Sequence, residues 1–323
     1  MAWVDRQLPV GDEVFLDHVG YFVADLDSAG QRLERLGFAV SPINLQQNAD
    51  ASGELRPSGT SNRLALVRRG FIEMLAATHD TALAGQLKQA LARYTGLHLI
   101  ALSHCDVPAQ RERLQRLGLA MQDVVNLRRH VRVQGEVREV RWSVLRPQPG
   151  VMPEGRVQYA YCHTPELTWP EQPWPEQPWP EQTRPDTGAP PANGADGLTD
   201  ILLCVADRRG VAERFGRFAG RHPIHDGAFA IVPLDRGRLL FIEPRDAETL
   251  PRFHLPALPF MAGQALRSVD VRRTRDALAK AGIQPAFSSD TLVCLAPDDG
   301  LGSYLLFHDP SVPAPWEALA ARG

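Results

Sequence analysis

The sequence predicts an α+β fold of four βαβββ modules paired into two barrel-like halves. Three observations predict it. First, one strand–turn–helix phrase occurs four times. It runs Leu16–Asp27 into a helix ending Leu36-Gly37-Phe38, and Leu97–Leu102 through Asp106 into a helix ending Leu117-Gly118-Leu119. It returns as Leu198–Asp207 with a helix ending near Gly220, and as Leu266–Val271 with a helix ending Ala281-Gly282-Ile283. Second, an Asp stands at the helix start, where a carboxylate caps free N–H groups and meets the positive end of the dipole. Third, short apolar runs follow each helix, spaced as strands.

Residues 1–15 are a lead. In the first module His18 opens a strand, Asp25 and Asp27 start the helix, and Ala29, Leu33 and Leu36 give helical spacing. Asn44 to Ser61 is polar and reads as a loop; 62–67 reads as a strand, Arg68-Arg69-Gly70 as a turn and 71–75 as the closing strand. Leu83, Leu87, Ala90 and Leu91 share one face of a linker helix over 81–94 that Thr95-Gly96 stops. The second module offers strands at 97–103, 131–135, 137–145 and 156–162. The third offers 198–205, 228–233 and 237–243, and an apolar connection at 252–260. The fourth offers 264–271, 284–288, 291–296 and 303–308, before a short tail helix at 315–322.

Thr168 to Pro191 differs in kind. Trp169-Pro170-Glu171-Gln172-Pro173 repeats from Trp174 and nearly again from Trp179. Proline at this density excludes helix and central strand and favours polyproline II or disorder. The tract reads as a tolerant linker, with a ligand for a partner domain as the alternative. The domain division is therefore 1–165, a linker at 166–194, and 195–323.

The chain has 323 residues, enough for two cores, with 44% hydrophobic residues and a net charge of −3. That charge speaks against nucleic acid as a partner. No apolar run approaches the ~20 residues of a membrane span, and no signal peptide is evident, so a cytoplasmic location is expected. Cys105, Cys162, Cys204 and Cys294 form no CxxC and read as reduced, buried small hydrophobes. No Gly-rich phosphate loop or Gly-x-Ser-x-Gly elbow occurs. His222-Pro223-Ile224-His225-Asp226 could suggest a metal but reads better as a polar turn. Asn62 and Arg63 are candidates for substrate contacts, since a guanidinium on a cavity-lining strand holds a carboxylate bidentately. An exposed arginine at a strand start is the alternative.

Leu16-Asp17-His18-Val19-Gly20, Gly59-Thr60-Ser61-Asn62-Arg63 and Gly70-Phe71-Ile72-Glu73-Met74-Leu75 resemble the glyoxalase-like domain family of the vicinal oxygen chelate superfamily. So do Gln158-Tyr159, His163-Thr164-Pro165-Glu166-Leu167-Thr168-Trp169 and Asn193-Gly194-Ala195. In relatives a shorter segment separates that Trp from Asn-Gly-Ala, which makes the Trp-Pro-Glu-Gln repeats an expansion inside a family junction. The resemblance implies a divalent metal (Fe, Zn, Ni or Mn) inside a half-open barrel, chelating vicinal oxygens of a small oxygenated substrate. The implied activity is of isomerase, lyase or dioxygenase type. The alternative is non-catalytic binding or sequestering of a small molecule, as in bleomycin-resistance proteins. Homodimerisation stays open.

His18 on the first strand and Glu73 on the last match the implied ligand positions, and Glu73 is the candidate catalytic residue. Aligning Asp25 with Asp106 sets Leu99 against His18, with His98 one residue off and so on the opposite face unless a bulge intervenes. Aligning Gly70 with Gly155 sets Gln158 against Glu73. The implied metal set is therefore His18, Glu73, Gln158 and His98. In the second pair Asp200 aligns with His18 and no His-His-Glu triad is visible, so that pair is expected to be structural.

Overall fold

The computed structural model describes residues 3–49, 55–133, 136–169 and 191–322. β1 (Phe15–Phe22) leads into α1 (Leu26–Arg35). Asp25 caps α1 by accepting from the Ser28 amide at 2.6 Å, and Gly37, at φ 85°, turns the chain out of it. β2 (Asn44–Ala49), β3 (Leu55–Leu66) and β4 (Phe71–Ala77) follow, then α2 (Ala82–Leu91), capped by Thr81. Next come β5 (Gly96–Ser103), α3 (Val107–Arg116), β6 (Val125–Val133), β7 (Glu136–Leu145) and β8 (Arg156–Cys162).

β9 (Ala195–Cys204) opens the remainder, with α4 (Arg208–Ala219), β10 (Ile224–Asp226), β11 (Phe229–Pro233), β12 (Arg238–Ile242) and the short α5 (Pro244–Ala247). β13 (Phe260–Ser268), α6 (Val271–Lys280), β14 (Phe287–Ser288), β15 (Leu292–Leu295), β16 (Tyr304–His308) and α7 (Pro315–Ala320) complete it. Asp106, Asp207 and Asp270 cap α3, α4 and α6 as Asp25 caps α1.

The strands form one large mixed sheet. β1 runs parallel to β4, β5 to β8, β9 to β12 and β13 to β16; the other neighbours are antiparallel. β1 pairs β5 and β9 pairs β13, and a single pair, Met261 with Leu97, joins β13 to β5. In each parallel pair, the residue seven before the capping Asp faces a fixed partner. These partners are His18 with Phe71, Leu99 with Arg156, Asp200 with Arg238, and Gly263 with Tyr304.

The turn before β12 reaches across to β1. Leu16 donates its amide to the Arg236 carbonyl at 2.8 Å, and the buried Arg236 guanidinium lies 4.6 Å from the Phe15 ring centroid. Asn193, fully buried, donates to the Leu36 carbonyl at 2.8 Å and accepts from the Ala195 amide at 2.9 Å, tying α1 to β9. At the other end of the junction Trp169 packs on Phe71 and Trp142. The repeats from Pro170 onward lie outside the described residues.

Three expectations are corrected. Most of the described part of Asn44–Ser61 is strand, because β2 and β3 pair along the sheet edge and turn polar side chains into a cavity. The strand expected at 131–135 begins earlier, at Val125. His222–Asp226 includes the exposed edge strand β10 and gathers no metal ligands. No helix among the described residues is long and apolar enough to cross a membrane.

Candidate functional site

The sheet β1–β8 curls around a cavity of about 240 Å³. Strand alternation decides what enters it. His18 on β1, Asn62 on β3, Glu73 on β4 and Gln158 on β8 all line it. Asp17 is fully buried and its Oδ2 lies 2.6 Å from His18 Nδ1. The carboxylate thereby holds the proton on Nδ1, and Nε2 is left without a protein partner among the described residues. The His18 ring stacks on Phe71, centroids 4.3 Å apart, and meets Trp142 edge-on.

Glu73 is 7% exposed, and amides meet its charge. Its Oε1 accepts from Asn62 Nδ2 at 2.5 Å and from Gln46 Nε2 at 3.2 Å. Asn62 Oδ1 in turn accepts from Asn44 Nδ2 at 3.0 Å, and Gln46 Oε1 from the Thr60 hydroxyl at 2.5 Å. The network fixes one carboxylate oxygen of Glu73. The polar residues first read as loop are its supports.

Across the cavity stand Arg146 and Arg156, which were not among the sequence candidates. Arg146 Nε donates to Gln158 Oε1 at 3.0 Å. Arg156 donates to Gln86 Oε1 at 3.4 Å, and its guanidinium lies 5.2 Å from the Phe22 ring centroid. Burial pulls the pKa of Arg156 down to about 10; repulsion from Arg146 adds to this and Glu73 opposes it. Burial also lowers Arg146, again opposed by Glu73. The signal for Arg156 was present: the register that sets Gln158 against Glu73 sets Arg156 against Phe71.

Two expected site residues lie elsewhere. Arg63, adjacent to Asn62, turns to the other face of β3. There it donates to the Ser41 carbonyl at 2.8 Å and to Glu34 Oε1 at 3.2 Å, tucked against α1 at Gly30. It is a structural cation, because consecutive strand residues cannot share a face. His98 does not reach the cavity. Its ring packs on Tyr94 and Phe22, and Nε2 donates to the Tyr94 carbonyl at 2.8 Å. Burial holds its pKa at about 4. Leu99, one residue on, takes the cavity position.

A resident divalent metal needs three or more well-placed donors. Among the described residues no group of three His, Cys, Asp or Glu side chains is placed to hold one. Leu99 stands where the counterpart of His18 falls, and Arg146 already occupies the Gln158 carbonyl oxygen. The residues present do not fit the implied metal set.

Fold and cavity together define the class: a mixed α+β protein with a large mixed sheet and a walled pocket. The chain belongs to the Glyoxalase-like domain family, which matches residues 16–219, more than half of its length. A hypothetical protein from Staphylococcus aureus has a similar structure, with TM-score 0.60 and 10% identity over 92% of this chain and 99% of that one. A triple mutant of 4-hydroxymandelate synthase from Streptomyces coelicolor gives TM-score 0.52 and 13% identity, over 96% and 99% of the two chains. The Mn(II)-bound glyoxalase from Novosphingobium aromaticivorans gives 0.51 and 11%, over 92% and 82%. At these identities the likeness concerns the fold alone. No curated protein matches.

Proposed function

We propose that this chain is a small-molecule-binding glyoxalase-like protein. Its four βαβββ modules pair into two barrel-like halves, residues 1–165 and 195–323 joined by 166–194, and its working cavity lies in the first. One observation carries the reading: His18, Asn62, Glu73 and Gln158 converge on a cavity walled by Phe71, Trp142 and Leu99. An apolar wall with a few convergent polar groups is the usual form of a ligand site. The ligand is a small oxygenated molecule with an apolar body, held in the manner of drug-sequestering relatives, and the setting is cytoplasmic.

The metal-assisted isomerase, lyase or dioxygenase is the second reading. It is supported by the Asp17–His18 contact, which presents Nε2 as metal-ligating histidines do, and by Glu73 in the same cavity. A fragment screen by ligand-observed NMR, followed by calorimetric titration with Mn(II), Zn(II), Ni(II) and Fe(II), separates the two. The binding reading expects fragments that Leu99→Trp displaces by filling the cavity, and no tight metal site. Micromolar metal binding lost in both His18→Ala and Glu73→Gln would replace it with the metal-dependent enzyme.

A further inference from the structure

The two walls of the cavity carry opposite charge. On one side β1–β4 supply Glu73. On the other β7 and β8 lead to Arg146 and Arg156, and Arg128 also lines the space. Glu73 is the one carboxylate among the described lining residues. It makes no ion pair with either arginine, since its recorded partners are Asn62 and Gln46. Arg146 and Arg156 have no carboxylate within ion-pair distance among the described residues; their recorded acceptors are the neutral Gln158 and Gln86. Both also border an adjoining pocket of about 310 Å³, where Arg93 adds a further cation and no carboxylate appears among the described lining residues.

The fold does not require these cations. By strand register Arg156 stands where β4 has Phe71, β16 has Tyr304 and β12 has Arg238, whose guanidinium is closed by Asp200 and Glu317 as Arg156 is not. Arg146, which follows β7, corresponds to Leu64 of β3 by the antiparallel registers of β3 with β4 and β7 with β8. Apolar residues fill both places in the first repeat. The second repeat thus places two partly desolvated guanidiniums where hydrophobes suffice. Like charges brought together away from water are costly until an anion joins them, and a guanidinium fork is matched to a carboxylate or phosphate.

We infer that Arg146 and Arg156 form an anion subsite that takes a carboxylate or phosphate group of the cavity's ligand. The ligand's apolar body then lies against Phe71, Trp142 and Leu99, and its other polar end faces His18 and Glu73. This inference rests on the cavity being a ligand site, and it narrows the ligand class to small anions with an apolar body.

The test compares 3-phenylpropionate with its neutral amide, 3-phenylpropionamide, by titration calorimetry on the full chain. The subsite predicts saturable binding of the acid and at least about tenfold weaker binding of the amide. Arg146→Met and Arg156→Met should each weaken the acid about tenfold or more and leave the amide unchanged, without lowering the melting temperature. Glu73→Gln should tighten the acid by removing the nearby negative charge. Inorganic phosphate that competes with the acid in wild type but not in the arginine variants would assign the subsite to phosphate esters as well as carboxylates. Equal binding of acid and amide, both lost in Leu99→Trp, would overturn the anion subsite and leave the cavity reading standing. Acid binding unaffected by the arginine substitutions would do the same. No saturable binding of either probe by about 10 mM would overturn both.

Discussion

Strands β1–β8 and strands β9–β16 of the one mixed sheet carry a common strand plan and treat its concave face in opposite ways. In the first, the register positions hold His18 and Phe71, then Leu99 and Arg156, and a cavity remains. In the second, they hold Asp200 and Arg238, then Gly263 and Tyr304, and the space is packed. Glu73 and Gln158 give way to Leu240 and Leu306. α7 completes the filling. Trp316 is fully buried among Tyr304, Phe260 and Leu306, and a Cβ on Gly263 would come within 2.9 Å of its ring. Glu317, on the same helix, joins Asp200 in closing the Arg238 guanidinium. His308 directs both ring nitrogens to Thr199 and to the Asp309 carbonyl. The backbone plan therefore creates a concavity, and a few side chains with one terminal helix decide whether it becomes core or pocket.

That contrast breaks most sharply at Trp316. Trp316→Ala should cost about 3–5 kcal/mol, because a fully buried indole leaves a hollow that a packed wall refills poorly. Urea unfolding measures the cost, and binding of 3-phenylpropionate to the folded fraction should be unchanged. A loss below about 1 kcal/mol would show that α7 does not plug the concave face of β9–β16.

A second test concerns pH. His98, beside the open cavity, has a folded pKa of about 4, against about 6.5 in an unfolded chain. The unfolded chain takes up the proton first, so stability is full above about pH 6.5 and falls as pH drops toward 4. The loss should be on the order of 2–4 kcal/mol. His98→Gln, which can still donate to the Tyr94 carbonyl, should flatten most of this slope in urea midpoints taken across that window. Burial also lowers His104, His163 and His308, so a smaller slope should survive. An undiminished slope would move the effect away from His98.

The smallest expected effect compares two neighbours on β3. Arg63→Met should cost about 1–2 kcal/mol through its lost hydrogen bonds to Ser41 and Glu34 and leave ligand affinity alone. Asn62→Ala should change affinity instead, by releasing Glu73. Reversal of that pattern in calorimetry and melting would place Arg63 in the site.

Much of the fold was legible because local chemistry specified it. Asp25, Asp106, Asp207 and Asp270 announced the four Asp-capped helices, and the glycines after them marked the turns. His18 and Glu73 were legible as one cavity's residues because each sits on a short strand whose alternation is clear. Asn62 was legible and Arg63 was misplaced beside it, although the period of two already separates their faces. The polar stretch 44–61 hid β2 and β3, since strands that line a cavity with amides lack an apolar rhythm.

The sequence by itself determined the Asp caps of α1, α3, α4 and α6 and which residues of a strand share a face. Those depend on neighbours within a few positions. Tertiary structure alone decided which concavity stays open. Arg146 and Arg156 gain meaning by standing across from Glu73, 73 and 83 positions away along the chain. Trp316 becomes core by folding back onto β16. The physical reason is that charge complementarity and space filling are set by what lies across a gap, and no local pattern encodes that.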